Sequence, residues 1–451
     1  MASNNTSYDL TYKGNEFKSK LLEFSKSITF DWLLNQDRAQ LNRTSAFDTL
    51  ISLFPPLEEV FQKGLTKDPQ EFFKTLPHIF QAQAAYNRIY SGDFPESQLD
   101  RNTIKDVHEL AHCLASFSPF VMPTILWLHD IGRFEDKRRH NEKGAQMILE
   151  FDLLKERGLT REETLLIRKV VQYHLLIGTL YTGESSYMSF ESLLRDEEFQ
   201  TIMNDSHYIK RFLDSLTLFT MIDVWGYHIN DISLTMIGNY LEIKKEMEEI
   251  FANKGDYKEV AKGLKEKSRK HLGWRLMGYM MAFSKIGKKP HLTLDFYARM
   301  IDDGFIRYIE REGLSQNWDR FKDTYLDKFD QVQFKYGLGV LIPLTYGGTG
   351  KKMHLTDDTE VNPNLFHLLV NINSRIKREE ETNPQSIPGA LWNVIFKGYP
   401  LWNQLTDFQK RLNESGLIEE IVNKGSVNVD DEEKVNVLSI DYTGFWKHVE
   451  Y

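Results

Sequence analysis

Cysteine is almost absent from this chain: Cys113 is the only one in 451 residues. An internal disulfide is therefore impossible, a usage that suits a reducing compartment. No apolar run approaches the roughly 20 residues that span a bilayer. The opening Met1-Ala2-Ser3-Asn4-Asn5-Thr6-Ser7 has neither the basic start nor the apolar centre of a signal peptide. These absences predict a cytoplasmic protein without a membrane partner. Positive charge is also short. Lys and Arg number 56 against 65 Asp and Glu, a formal net charge of −9, which argues against general nucleic-acid binding, since that needs a basic face. A small basic pocket for a nucleotide remains compatible with an acidic protein.

Several catalytic signatures are missing too. There is no nucleophile elbow, dinucleotide fingerprint or Cys-rich zinc module. Gly347-Gly348-Thr349-Gly350-Lys351-Lys352 falls short of a phosphate loop. Thr345 stands where the first glycine belongs, and no Ser or Thr follows Lys351, so the stretch reads as a β-turn.

What is present is a chain of ordinary soluble composition, 41% hydrophobic and 27% charged, long enough for a large core. Residues 1 to about 14 read as a polar tail. From Glu16 to Tyr90 the apolar positions recur at helical spacing (Phe17, Leu21, Leu22, Phe24, Ile28), with breaks at Pro55-Pro56 and near Ser91-Gly92-Asp93-Phe94-Pro95. Residues 184–206 form an acidic insert, read as a surface excursion in preference to a lid over a site. Charge pairs at four-residue spacing mark long helices over Leu234–Lys254 and Tyr257–Ser284, and Leu292–Arg311 reads as another. Trp274, Tyr279, Met280 and Phe283 share helical spacing and read as core. Beyond about residue 330 the pattern changes: Gly337–Leu344 and Lys434–Ile440 look like strands, and Asp430-Asp431-Glu432-Glu433 is a short acidic run.

The richest signal is His129-Asp130, at the end of the apolar stretch Ile125-Leu126-Trp127-Leu128. An imidazole beside a carboxylate offers two adjacent metal ligands. Alone the pair means little, and a lone helical histidine is more often a hydrogen-bonded core residue. Here it stands in a series with His108, His140, His174 and Asp223, nearly all on segments of helical period.

This order, and the wording around it, resembles the HD-domain family of metal-dependent phosphohydrolases. The stretches that carry the likeness are Ile104–Leu110, Leu126–Gly132, His140–Ala145, Val170–Leu176 and Phe219–Val224. Within the family the wording is most similar to the HD domain of PII uridylyltransferase/uridylyl-removing enzymes. The likeness covers about residues 100–230, and no nucleotidyltransferase signature lies upstream. It implies a mainly α fold, an HD-type helical bundle with a helical N-terminal cap and a helical C-terminal extension ending in a small α/β region. The corresponding divisions are 1–99, 100–230, 231–330 and 331–451.

The resemblance also implies a ligand set. His108, His129, Asp130 and Asp223 would hold one divalent ion. His140 and His174 would serve a second, with Asp130 bridging. Such ligands suit Mn, Fe, Co or Zn, with Mg also open. The implied reaction is hydrolysis of a phosphoester or phosphoanhydride in a nucleotide-like substrate by metal-activated water. Arg133, where the family commonly shows lysine, and Lys143 are expected at the phosphate; with Asp130 they make up the expected catalytic residues. An arginine binds phosphate as a fork, a lysine as a point charge. Glu135, Asp136 and Lys137-Arg138-Arg139 read as loop charges, His112 as a residue behind the ligands, and His228 as structural. Three other readings stay open: removal of a nucleotidyl group from a modified protein, a regulatory module that binds a nucleotide without turnover, and a helical scaffold whose histidines are structural. Homo-oligomerisation is also open.

Overall fold

The computed structural model describes residues 4–94, 100–227, 234–252, 256–286, 294–314, 317–335, 341, 363–398 and 416–442. The described residues are mostly helical, with a small sheet near the C-terminus. Among the described residues no single helix is long and apolar enough to cross a membrane. The contacts divide the chain into two compact units, one of residues 1–178 and 201–255, the other of 179–200 and 256–451. The first therefore joins the expected cap and most of the HD-like region, and it reaches into the expected extension. The sequence boundary near 330 falls inside the second.

The first unit is built around two long helices, Pro69–Ser91 and Ser206–Tyr227, packed along each other. Pro69–Ser91 starts cleanly. Asp68 caps it by accepting the Glu71 N–H, and Pro69 sits at its first turn, where its missing N–H costs nothing. Gly92, at φ 72°, ends it in the left-handed conformation that glycine adopts without strain. Most of this helix is buried, including an unbroken run from Thr75 to Tyr86. It is thus a central helix, and Pro77 sits inside it. Helices Arg101–Phe117 and Val121–Leu128 lie against it, and Arg161–Tyr173 packs on Val121–Leu128 and on Ser206–Tyr227. The expected tail also differs: Asn4–Ser27 is one helix, whose Phe17, Leu21 and Phe24 are buried.

The second unit holds the sheet, in the order β1 (Val332–Lys335), β2 (Trp392–Lys397), β4 (Val435–Asp441), β3 (Ser426–Asp430). β1, β2 and β4 are parallel, and β3 runs antiparallel to β4. The short acidic run lies at the β3–β4 hairpin turn. Asp430 Oδ1 accepts the N–H groups of Glu432 and Glu433, and Lys434 takes φ 54°. Helices Asn364–Thr382 and Leu417–Lys424 share the core with the sheet, through Leu369, Ile372, Ile421, Trp392 and Leu438.

Most of the insert, up to Gln200, belongs to this unit, and part of it is buried rather than a surface excursion. Residues Tyr187–Phe190 form a buried 3-10 turn. Ser186 Oγ donates to the Asp330 carbonyl at 2.5 Å, and the Met188 N–H donates to Ser268 Oγ at 2.9 Å. The helix expected over Tyr257–Ser284 is two helices, Tyr257–Lys270 and Leu272–Ile286. Tyr279 is buried and Trp274 packs on the core as expected, whereas the side chains of Met280 and Phe283 lie outside the described residues. So do Gly347–Lys352, and all of the expected strand Gly337–Leu344 except Leu341.

Candidate metal centre

Three of the expected histidines have their rings aimed by the same local device. His129 follows the last residue of helix Val121–Leu128, His174 follows Arg161–Tyr173, and His140 opens His140–Glu150. In each, Nδ1 meets the backbone carbonyl three residues earlier: Leu126 at 2.8 Å, Val171 at 2.8 Å and Lys137 at 3.1 Å. A carbonyl only accepts, so each Nδ1 carries the proton and donates. Two of these carbonyls belong to helix C-termini, where the last turn lacks intrahelical donors. In a neutral ring Nε2 is then left with a lone pair, the form a metal ligand takes.

Those lone pairs converge. His140 Nε2 lies 3.2 Å from His174 Nε2 and 3.4 Å from Asp130 Oδ1. His129 Nε2 lies 3.6 Å from Asp130 Oδ2 and 3.7 Å from Asp223 Oδ1. The sixth member is His78, from the central helix. Its Nε2 sits 2.8 Å from Asp223 Oδ1, 3.3 Å from His129 Nε2 and 3.9 Å from Asp130 Oδ2. Among the described residues, two groups are compact enough to hold an ion: His78, His129 and Asp223, and Asp130, His140 and His174. The contacts of Asp130 with His78 and His129 link them.

His108 is not among them. It is half-buried on helix Arg101–Phe117, its ring 4.2 Å from that of His112. His112 stacks on Tyr90 at 4.3 Å and bonds the Tyr90 carbonyl through Nε2. The expected ligand and its expected neighbour thus pack together beside Tyr90. His78 takes the place assigned to His108. The sequence reading missed it because Leu76-Pro77-His78-Ile79-Phe80 reads as buried helix, where a histidine is ordinarily core. A usable signal lay in Glu71, Thr75 and His78, polar residues recurring at helical spacing along one face of the helix.

The electrostatics favour ligand-ready states. Burial pushes His129 below its ordinary value, against the pull of Asp130. Burial likewise takes His140 down to about 3 and His174 to about 4. Burial alone would raise Asp130, but the Arg133 guanidinium beside it, foremost among the opposing influences, holds the carboxyl well below the usual range. Burial also works against the Asp223 charge, and His78 reverses it. Neutral imidazoles and ionised carboxylates are what a divalent ion requires.

The donor set fits a metal on a further observation. Asp130 is 1% exposed, and neither of its oxygens has a hydrogen-bond partner among the described residues. The Arg133 Nε is 2.8 Å from Oδ2 in ion-pair contact. Leaving a buried carboxylate so poorly bonded is costly without a cation at its free face.

Arg133 also reaches Glu71 Oε1 at 3.4 Å, and Lys137 Nζ is 2.6 Å from Glu71 Oε2. Glu71 is itself buried, two helical turns before His78 and on the same face. Lys143 points elsewhere, donating to Gln146 at 2.9 Å. Asp136 Oδ1 accepts the N–H groups of Arg138 and Arg139, and Arg139 pairs with Glu142, as expected of a loop. The Glu135 carbonyl takes Lys67 Nζ. His228 lies outside the described residues. Comparison with family models, with curated proteins and with solved structures finds no match.

Proposed function

We propose that the chain is a metal-dependent phosphohydrolase of HD type that cleaves a phosphoester or phosphoanhydride bond in a nucleotide-like substrate. The observation that carries this reading is the pair of buried His/Asp groups linked by Asp130, with the Arg133 guanidinium against that same carboxylate. His78, His129 and Asp223 would hold one divalent ion, and Asp130, His140 and His174 a second. When bound, such ions supply activated water and neutralise charge on a phosphoryl group.

The rest follows from the chain's own residues. The backbone carbonyls of Leu126, Lys137 and Val171 fix the ligand rings and keep Nε2 deprotonated. Arg133, held between Asp130 and Glu71, would present part of its planar fork to a phosphoryl oxygen. Lys137 adds a second cation at the same buried Glu71. Lys143, paired with Gln146, has no part in this arrangement.

The test is elemental analysis of protein purified without chelator, followed by a hydrolysis screen over nucleotides. Bound Mn, Fe, Co or Zn, with turnover that Asp130→Ala abolishes, is the expected result. Metal-free protein that rebinds none of these ions, or an Asp130→Ala variant with undiminished turnover, would sink the reading.

A further inference from the structure

Lys137 is tied to the metal groups at both of its ends. Its backbone carbonyl accepts the His140 Nδ1–H at 3.1 Å, and its ammonium meets Glu71 Oε2 at 2.6 Å. The other Glu71 oxygen, Oε1, accepts from Arg133 Nη1 at 3.4 Å, and Arg133 Nε lies 2.8 Å from Asp130 Oδ2. Charges therefore alternate in sign from Asp130 through Arg133 and Glu71 to Lys137. They are also ordered by depth. The side chains of Asp130 and Glu71 are 1% and 8% exposed, those of Arg133 and Lys137 19% and 54%. With the carboxylates beneath and the cations above, the face offered to solvent is cationic. The nearby loop charges are engaged with one another: Asp136 Oδ1 accepts the N–H groups of Arg138 and Arg139, and Arg139 pairs with Glu142.

The buried anchor matters for the lysine. A surface lysine gives up much rotamer freedom when it binds an anion. One whose ammonium already rests on a buried carboxylate has lost that freedom beforehand, so less affinity is spent on ordering it. Arg133 and Lys137 are thus two pre-ordered donors beside the carboxylate that links the metal groups.

Two such donors discriminate between phosphate esters. A phosphodiester offers two non-bridging oxygens and a single negative charge. A terminal phosphoryl group offers three such oxygens and about two charges near neutral pH. With one oxygen committed to the ions of the function proposed above, a diester has one left for both cations. A terminal phosphoryl group has one for each.

We infer that Lys137, held in place by Glu71, is a specificity-determining residue that selects a substrate with a terminal phosphoryl group over a phosphodiester. The inference rests on the phosphohydrolase reading for where the reacting phosphorus lies.

The test uses the full chain and two ligands that differ by one methyl group, phenylphosphonate and its monomethyl ester. Isothermal titration at about pH 8, where the phosphonate is largely a dianion, should show it binding about 10-fold tighter than the ester, or more. Lys137→Met keeps the backbone carbonyl that orients His140 and should bring the two affinities within about 3-fold of each other. Its metal content by elemental analysis should match the parent's. Lys143→Met, altering a side chain that donates to Gln146, should keep the parent's preference. Equal affinities in the parent, or an undiminished preference in Lys137→Met, overturn the inference. So does failure of both ligands to bind at about 10 mM. The comparison of ligands on the parent needs no variant and decides the matter even if Lys137→Met folds poorly. Metal content and turnover test the phosphohydrolase reading separately: a metal-loaded, active parent that does not distinguish the two ligands sinks this inference alone.

Discussion

The Nε2 atoms of His140 and His174 face each other at 3.2 Å, while both Nδ1 atoms are engaged by backbone carbonyls. Each Nε2 is therefore an acceptor, and burial takes these rings down to about 3 and about 4, too low to carry a bridging proton at neutral pH. Two lone pairs in mutual contact repel, and a cation between them turns that repulsion into coordination. Chelator-treated protein should consequently melt below untreated protein, and added Mn²⁺ or Zn²⁺ should restore it. Ligand at about a hundredfold excess over its dissociation constant contributes about 2.7 kcal/mol. A melting temperature that ignores both chelator and added ion would show that the two rings are merely packed.

His78 and His108 make opposite predictions. His78→Ala removes a ring that touches Asp223, His129 and Asp130, so bound metal should drop. His108→Ala removes a ring that rests on His112, so metal content should stay as it was. His174→Ala should take the content from about two ions to about one, since two-ion sites are the arrangement this ligand set suits. Elemental analysis of the three variants decides the assignment, and metal lost with His108→Ala but retained with His78→Ala would reverse it.

Gly132, two residues after Asp130, lies against the start of the helix that carries His140. A Cβ there would lie 2.0 Å from the His140 carbonyl oxygen and 2.5 Å from the Gly144 nitrogen, both of them backbone. Helix His140–Glu150 would have to retreat, taking His140 away from Asp130. Gly132→Ala should destabilise by about 3 kcal/mol or more, at the upper end for overpacking, because backbone cannot rotate aside. Metal content should fall with it. Circular dichroism melts and elemental analysis together check this, and a variant that matches the parent in both would show that the contact is not tight.

Acid should unfold the chelated protein early. His140 and His174 are joined by His271, packed edge-on against Tyr187 and lowered by burial to about 3. Above their ordinary value of 6.5 these rings are neutral in both states and cost nothing. Below it the unfolded chain gains protons that the folded chain refuses, so stability falls as pH drops from about 6.5 toward about 3. Denaturant melts across that range should show the decline, and His271→Gln should make it shallower. A stability that holds level down to about pH 4 would mean the rings protonate freely in place.

Much of this was legible in the sequence. The helical periods, the breaks at Pro55-Pro56 and Gly92, and the strand ending near Ile440 come from local rules, since spacing, caps and turn residues act over a few positions. The convergence of His129, Asp130, His140, His174 and Asp223 was legible as wording, and the ring orientations of the three histidines are local too, because each bonded carbonyl lies three residues back. The β3–β4 turn shows the limit: its acidic residues were visible, but their role in capping a turn depends on Val435–Asp441 pairing with Ser426–Asp430.

Which helix supplied the sixth member of the cluster was not local. His78 and His108 both stand on helical segments and both carry an imidazole, so spacing treats them alike. Only packing separates them: helix Pro69–Ser91 runs buried beside Ser206–Tyr227 and turns the His78 face toward Asp223, whereas His108 packs at a tilt against His112, which stacks on Tyr90. The same holds for Glu71, brought to Arg133 and Lys137 across more than sixty residues of chain. Sequence set the residue types and their local poses, because helix geometry and caps are short-range. Tertiary structure chose the partners, because burial and charge pairing depend on which faces meet.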